Sequence, residues 1–349
     1  MGRFIGKRLF YGILVLLGVI IVNFFLFNIL PGDPAQMMLG QRSDISSIEA
    51  INRDLGRDKP MLIQFFNYLN DLSPISLHNE RDTKDYWYFD TLKYQSSAKI
   101  FHFGEKEVLV LKKPFLRRSY QTKRQVSEIL YEGFFSTLIL AGVAMIFAVF
   151  VGISIGIVCA LKKNTFIDRL ALVFSVLGMS LPSFFAAILN AWIFAFVFAG
   201  ITHLNMAGSL YSVDDFGRGE YLDLKNLILP AFTLGIRPLA IVVELTRNSL
   251  LDVLSQDYIR TARAKGLSKT RILLKHALKN AMNPVITAIS GWFASLIAGA
   301  VFIEYIFDWK GIGVVIVNAL DKYDFPVIMG AVLYISVILV FINIVVDIA

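Results

Sequence analysis

Long apolar runs alternate with short polar segments along most of the chain. A helix of about 20 apolar residues is long enough to cross a hydrocarbon core of about 30 Å. The runs of this length lie at roughly 9–30, 134–160, 170–199, 227–246, 281–303 and 327–349. The pattern therefore predicts an all-α membrane protein with six transmembrane helices.

The composition places the chain in the same class. Hydrophobic residues make up 56% of the 349 residues, and the mean hydropathy is +0.62, which is outside the range of soluble domains. The net charge of +7 does not indicate nucleic-acid binding, because the basic excess lies in the loops between the apolar runs. We expect membrane lipid, and not nucleic acid, around the chain.

The basic residues of the short loops predict the orientation, because Lys and Arg are retained on the cytoplasmic side. Three precede the first run, three lie between the second and third runs, and eight lie between Arg247 and Lys279. The alternate short loops carry more acidic residues. Both termini are therefore expected in the cytoplasm, and the region 31–130 outside.

The external region starts with a strong turn signal. The sequence "LPGDP" at 30–34 ends the first span, because its two prolines and its glycine cannot continue a helix. The stretch 45–72 then predicts two short amphipathic helices, broken at Gly56 and Pro60.

The pattern changes between about 73 and 115. This stretch is aromatic and alternates around Gly104 in the manner of a β-hairpin. It predicts a small mixed insertion of strands in an otherwise helical protein. His78 and His102 lie in it without the paired spacing of metal ligands, so no metal site is expected.

Two spans contain residues that disturb a simple apolar helix. Gly152 and Gly156 in the second span form a small-xxx-small pair, which lets another helix approach closely. Pro182, in "SLPSFF", predicts a kink or an unwound turn inside the third span. Loosened backbone at membrane depth lies against protein or water, so Pro182 either lines a pathway or marks a structural kink.

The fourth span carries two charges, Arg237 and Glu244. A charge at the bilayer centre costs about 2.5 to 3.5 kcal/mol on insertion scales, so Arg237 must face protein, water or headgroups. It either lines a pathway or makes a structural pair, and Pro238 is expected to break the helix beside it. Glu244 is expected to pair with Arg247 or with a cation of the following loop.

The segment 252–279 is too polar for a bilayer, with nine charged residues. Its first part predicts a short helix that Ser255 caps, with Asp257 in its first turn and basic residues in its last. Gly266 is expected to be left-handed just beyond the helix end.

A second helix is predicted after Gly266. Ser268 caps it, and Leu267 with Ile272 has the spacing of a hydrophobic staple. Its basic and apolar residues separate to opposite faces. The small residues of the first helix, Thr261, Ala262 and Ala264, favour docking of a partner protein. A basic loop held at anionic lipid remains the alternative.

The stretch "QDYIRTARAKGLSKTRILLKHALKNAMNPVIT" resembles the EAA loop of ABC-importer permeases of the dipeptide, oligopeptide and nickel branch. Arg260, Thr261, Ala262 and Gly266 stand at the positions of the Glu-Ala-Ala and glycine of that pattern. The pieces "LPGDP", "SLPSFF", "LPAFTLG" and "YDFPVIMG" are similar to the same branch and occur in its order. One departure is "DWKGIG", where Lys310 stands at a position that is usually proline.

The resemblance implies a type I ABC importer permease fold, also called MetI-like. It implies an N-terminal span at 1–30, an extracytoplasmic region at 31–130 with the insertion at about 73–115, and a five-helix core at 131–349 with a coupling loop at 248–280. The coupling residues it implies are Asp257, Arg260, Thr261, Ala262, Ala264, Lys265 and Gly266.

The resemblance also implies the partners and the location. It implies a second homologous permease, two ATP-binding subunits that hold the ATP and Mg, and an extracytoplasmic substrate-binding protein in a bacterial inner membrane. No catalytic, metal or nucleotide motif occurs in the chain itself, so no enzyme activity is expected of it. A self-sufficient secondary transporter or channel is the competing class, but neither an inverted repeat nor several intramembrane carboxylates are evident.

Overall fold

The structure is a computed structural model that describes residues 2–29, 59–81, 85, 87–91, 93–94, 97–104, 106–214 and 219–348. The predicted turn at 30–34 and the first of the two amphipathic helices lie outside the described residues. The second amphipathic helix is present after Pro60, which confirms that part of the prediction.

The described residues are mainly helical. The α-helices are α1 (Gly2–Ile29), α2 (Met61–Leu72), α3 (Val126–Leu161), α4 (Phe166–Ser180), α5 (Ser183–Asn190), α6 (Ala199–Thr202), α7 (Lys225–Leu254), α8 (Asp257–Ala264), α9 (Lys269–Arg271), α10 (Lys279–Gly299), α11 (Val301–Ile306), α12 (Ile312–Asp321) and α13 (Phe325–Ile348). Two π-helical segments, Ala191–Val197 after α5 and Ile272–Leu278 before α10, continue these helices.

Two small sheets complete the described elements. Their strands are β1 (Ile75–Asn79), β2 (Ser97–Phe103), β3 (Glu107–Lys112), β4 (Tyr211–Val213) and β5 (Glu220–Leu222). The first sheet has the order β1-β3-β2 and is antiparallel throughout. It lies inside the predicted insertion, and Gly104 in the β2–β3 turn has a φ of 67°, which confirms the hairpin.

Four helices of the described residues are long and apolar enough to cross a membrane: α1, α3, α7 and α13. A fifth span results if the bent pair formed by α4 and the helix after it counts as one. The predicted fifth span corresponds to α10, which has 21 residues but begins with Lys279 and Asn280 and is not among the four. The structure thus supports four or five of the six predicted spans.

The third predicted span is broken at Pro182. Helix α4 ends at Ser180 and α5 begins at Ser183, and the two segments are bent by 111°. Leu181 is extended, with φ −73° and ψ 131°, as expected for a residue before proline. The predicted kink or unwound turn is confirmed, and it divides the predicted span 170–199 into two helical segments.

The chain forms two compact units. The first contains Met1–Gly12, Glu132–Val317 and Val337–Ala349, and the second contains Ile13–Tyr131 and Asn318–Ser336. In the first unit, α7 packs against α4, α5 and α10. Helix α7 continues through Pro238, so the predicted break at this proline is wrong.

Glycines bring α3 and α7 together in the first unit. A Cβ added at Gly152 would lie 2.8 Å from Cγ1 of Val242, and one at Gly156 would lie 2.6 Å from Cβ of Thr246 and 2.9 Å from the Val243 carbonyl oxygen. Hydrogen atoms are therefore the largest groups that fit. The predicted close approach through the small-xxx-small pair is confirmed.

A buried carboxylate organises the turn after α11 in the same unit. Glu304 is 0% exposed and accepts hydrogen bonds from the Thr137 hydroxyl and the Gly313 amide, both at 2.6 Å. A Cβ at Gly311 would overlap this carboxylate. The glycines of "DWKGIG" are thus required by Glu304, whereas Lys310 just before them is exposed and need not be proline.

The sheet of the second unit encloses a buried histidine. His78 is 1% exposed, and its Nε2 lies 2.9 Å from the Ser76 hydroxyl and 3.1 Å from Nζ of Lys112. Its Nδ1 lies 3.2 Å from the Trp87 carbonyl oxygen. Burial and the Lys112 charge lower the pKa of His78 to about 4, so this imidazole remains neutral in the folded sheet at pH values where a free histidine is charged.

The buried His78 makes the stability of the sheet dependent on pH. In the unfolded segment this histidine binds a proton near its ordinary pKa of 6.5, but in the folded sheet its pKa is about 4. Stability is therefore lost as the pH falls through this window. We predict that protection factors of β1 and β3 amides, measured by hydrogen exchange on the full chain, decrease between pH 6.5 and 4. The His78→Gln variant should lose most of this dependence, and the same decrease in that variant would disprove the assignment.

The contact of α3 with α7 predicts a large effect of a single methyl group. Gly156→Ala should lower the free energy of unfolding by about 1–3 kcal/mol, because an overpacked contact forces the helices apart. Thermal unfolding of the purified chain in detergent measures the change. Gly142→Ala on the same helix is the matched control, since its Cβ would meet nothing within 4 Å. Equal unfolding temperatures for the two variants would refute the proposed tight contact.

Candidate functional site

The predicted coupling helix is present as α8. It spans Asp257–Ala264, with Asp257 in its first turn and Arg263 in its last. The N-cap is Gln256 and not Ser255, so the predicted cap is wrong by one residue. The Ser255 hydroxyl instead donates to the carbonyl oxygen of Asp252, at 2.7 Å, because α7 extends further than expected.

A left-handed glycine ends α8. Gly266 has a φ of 75°, and its amide donates to the Arg263 carbonyl oxygen at 3.0 Å. Ser268 then caps the next helix, accepting from the Arg271 amide at 3.4 Å. Both predicted signals are confirmed, and together they turn the chain sharply between α8 and the helix that follows.

A small apolar cluster, the loop core, holds α8 against its own chain. The loop core consists of Ala160, Leu250, Ile259, Ala262, Ile272, Ala277 and Ala281. Ala262 is 7% exposed, so the expectation that it contacts a partner through an exposed surface is wrong. Its small size instead lets α8 pack closely on the loop core.

The other side of α8 is open. The exposed residues of α8 and the turn after it are Asp257, Tyr258, Arg260, Thr261, Arg263, Ala264, Lys265 and Gly266. All of them except Tyr258 are here called the coupling face. Arg260 and Asp257 form an ion pair at 3.3 Å, but their side chains are 74% and 93% exposed, so the pair adds little stability. The coupling face thus has basic side chains at its edges and small side chains at Thr261 and Ala264.

The predicted amphipathic helix after Gly266 is confirmed. Arg271, Lys275 and Lys279 are exposed, whereas Ile272 and Ala277 are buried in the loop core. The basic residues therefore extend the positive surface that begins on the coupling face.

An ion pair that the sequence did not predict anchors the base of the loop. Arg247 near the end of α7 binds Asp168 in the first turn of α4 through two hydrogen bonds, at 2.6 and 2.8 Å. Their side chains are 14% and 2% exposed. Among the described residues Glu244 forms no ion pair, so its expected pairing with Arg247 or with a cation of the following loop is not found. Asp168 is an acidic residue in a loop of basic residues. This difference in charge is the sequence feature that could have predicted the ion pair.

The two predicted pathway residues lie near one pocket. Pro182 is exposed at the break between α4 and α5, and the pocket is lined by its neighbour Ser183 together with Arg237, Trp292 and Ser295. Nη2 of Arg237 donates to the carbonyl oxygen of Met179, at 3.3 Å. The sequence did not identify Trp292 or Ser295, which lie within the apolar run of α10.

Within the described residues, no three His, Cys, Asp or Glu side chains come together as a metal-binding group. The candidate site thus has two separate parts, the exposed coupling face on α8 and a small pocket at the break between α4 and α5.

Comparison with known proteins identifies the family. The family model for the binding-protein-dependent transport system inner membrane component matches residues 152–349. The chain belongs to this family. The model for the N-terminal part of such membrane components matches residues 1–84. The protein is therefore a multi-pass inner-membrane permease subunit of an ABC importer.

Curated relatives match over almost the full length. The dipeptide transport system permease protein DppB of Alkalihalophilus pseudofirmus is 33% identical, covering 98% of this chain and 95% of the relative. The glutathione transport system permease protein GsiC of Salmonella typhimurium is also 33% identical, covering 99% and 95%. Among solved structures, an inward-facing MetNI methionine ABC transporter matches with a TM-score of 0.47 and 18% identity, covering 63% of this chain and 94% of that chain.

The Asp168–Arg247 pair predicts a specific loss of stability. Asp168→Asn leaves Arg247 largely buried without a carboxylate and should lower the free energy of unfolding by about 3 kcal/mol. Thermal unfolding of the purified permease measures this change. Asp252→Asn, an exposed acid on α7, is the matched control and should change stability by less than about 0.5 kcal/mol. If the two variants unfold alike, the pair does not anchor the loop.

Proposed function

We propose that this permease imports peptides or similar small solutes, and that α8 transmits the closure of ATP-binding subunits to the membrane helices. The observation that carries the proposal is the coupling face. It is an exposed helix surface of basic and small side chains on a helix whose other side is packed into the loop core.

The loop core can transmit a displacement of α8. It joins α8 to the end of α3 through Ala160, to α7 through Leu250, and to the start of α10 through Ala281. Close-packed contacts of this kind do not compress. A force on α8 therefore moves the ends of three membrane helices together, which is what alternating access requires.

The side chains of the coupling face favour a protein partner over lipid. A helix that lies on a membrane needs large apolar residues such as Leu, Phe or Trp along one face. Tyr258 is the one aromatic residue exposed on α8, whereas Thr261 and Ala264 lie at the centre of the coupling face. Small residues let the backbone of a partner approach.

The family supports an assembly of several subunits. We propose that the permease pairs with a second, homologous permease and with two ATP-binding subunits, which supply the ATP and Mg, and that an extracytoplasmic binding protein delivers the solute. Both termini and the coupling face lie in the cytoplasm. The names of the relatives, dipeptide and glutathione permeases, support a peptide as the solute.

A large side chain on the coupling face should prevent docking. Ala264→Trp should reduce co-purification of the ATP-binding subunits, and the ATPase stimulation by binding protein and solute, by at least about tenfold, because a hot-spot contact is worth about 2 kcal/mol or more. Pull-down and ATPase assays in proteoliposomes measure both. The matched control is Ala207→Trp, at an exposed alanine of the loop between α6 and β4, and it should retain both activities.

Normal ATPase stimulation in the Ala264→Trp complex would show that the coupling face is not the docking surface. Loss in both variants to the same extent would indicate a general effect of tryptophan on folding. Thermal unfolding of the two purified variants separates these cases.

A further inference from the structure

The pocket at the break between α4 and α5 combines features that suit a negatively charged ligand. The pocket is formed by residues of α4, α5, α7, α10 and α11, among them Arg237, Ser183 and Ser295. Its walls are otherwise largely apolar, and Trp292 has the largest of the apolar side chains that line it.

Arg237 lies near the middle of a membrane helix. It is 12 residues from the first residue of α7, Lys225, which corresponds to about 18 Å at about 1.5 Å per residue. A charge at this depth is costly unless it is paired or hydrated. Arg237 is exposed in the single chain and lines the pocket, so a group from outside the chain that enters the pocket can compensate its charge.

The chain itself compensates Arg237 only in part. Its polar contact among the described residues is the carbonyl oxygen of Met179, and their ion pairs do not include it. A guanidinium has five N–H donors and matches a carboxylate in bidentate geometry. Most of its hydrogen-bonding capacity is thus available to an anion in the pocket.

The start of α5 adds a second positive feature. Its N-cap is Pro182, and no side chain caps the helix, so the first amides of α5 have no intrahelical or side-chain acceptor. Ser183, in this first turn, lines the pocket. The helix dipole and the free amides favour negative charge at the same place as Arg237.

We propose that this pocket binds the carboxylate of the transported peptide, with Arg237 as its counter-ion and the Ser183 and Ser295 hydroxyls as further donors. The apolar wall with Trp292 receives the adjacent side chain of the peptide. This inference rests on the proposed function, because it assigns the solute class that the permease moves.

The experiment uses the complete importer in proteoliposomes, with a mixture of dipeptides so that the result does not depend on one sequence. Import is measured by mass spectrometry for the wild type, Arg237→Gln and Arg237→Lys. We expect import to fall about tenfold or more in Arg237→Gln, since a charge-assisted pair is lost. Arg237→Lys keeps the charge but not the bidentate geometry and should recover part of the import.

Several results would overturn the proposal. Wild-type import by Arg237→Gln would show that the charge is not used, and equal loss in Arg237→Lys would show that positive charge alone does not account for the effect. If Arg237→Gln loses assembly or solute-independent ATPase activity as well as import, Arg237 has a structural role. It would then act as a cap on α4 or as a partner of a carboxylate in the second permease.

The same experiment separates the two levels of inference. If the wild-type importer moves no dipeptide although it hydrolyses ATP, the proposed peptide function is wrong, and the pocket assignment fails with it. If the wild type imports dipeptides and Arg237→Gln does so equally, only the pocket assignment is wrong.

Discussion

Helices α3 and α7 approach so closely that the contact requires glycine, and the rest of the first unit is arranged around this contact. Val242, Val243 and Thr246 of α7 occupy the space that side chains at Gly152 and Gly156 would fill. Backbone carbonyls at this distance leave no room for the two helices to slide without losing their packing. The contact therefore fixes α7 relative to α3, so that the two helices move together with everything that α7 carries.

Helix α7 carries both parts of the candidate mechanism. Arg237 faces the pocket near its middle, and Leu250 near its end belongs to the loop core under α8. The 17 residues from Arg237 to the helix end at Leu254 span about 26 Å at about 1.5 Å per residue. A continuous helix of this length can carry the proposed displacement between the pocket and the coupling face. Both of its prolines are accommodated within it, and α4 and α10 pack along its sides.

Buried carboxylates secure the turns between the helices. Asp168 holds the start of α4 to α7, and Glu304 holds the turn after α11 to α3. A buried charge or polar group without partners costs several kcal/mol, so these turns are tied to one arrangement of the helices. Removing one partner therefore destabilises the whole turn between two helices, and its effect is not limited to one hydrogen bond.

The sequence by itself determined the features that depend on near neighbours in the chain. Apolar length predicted most of the long helices, Pro182 predicted the break, and Gly266 and Ser268 predicted the end of one helix and the start of the next. Caps, prolines and left-handed glycines act over a few residues, and helix periodicity acts over a few turns. For this reason the prediction of two faces for the helix after Gly266 was also correct.

Only the tertiary structure decided which distant groups meet. Arg247 pairs with Asp168, 79 residues away, and not with Glu244 one turn away. Ala262 packs into the loop core and not on the coupling face, and Trp292 and Ser295 join Arg237 in one pocket. These outcomes depend on how the helices pack, because a single sequence specifies the face of each helix but not the residues of other helices that will lie against it.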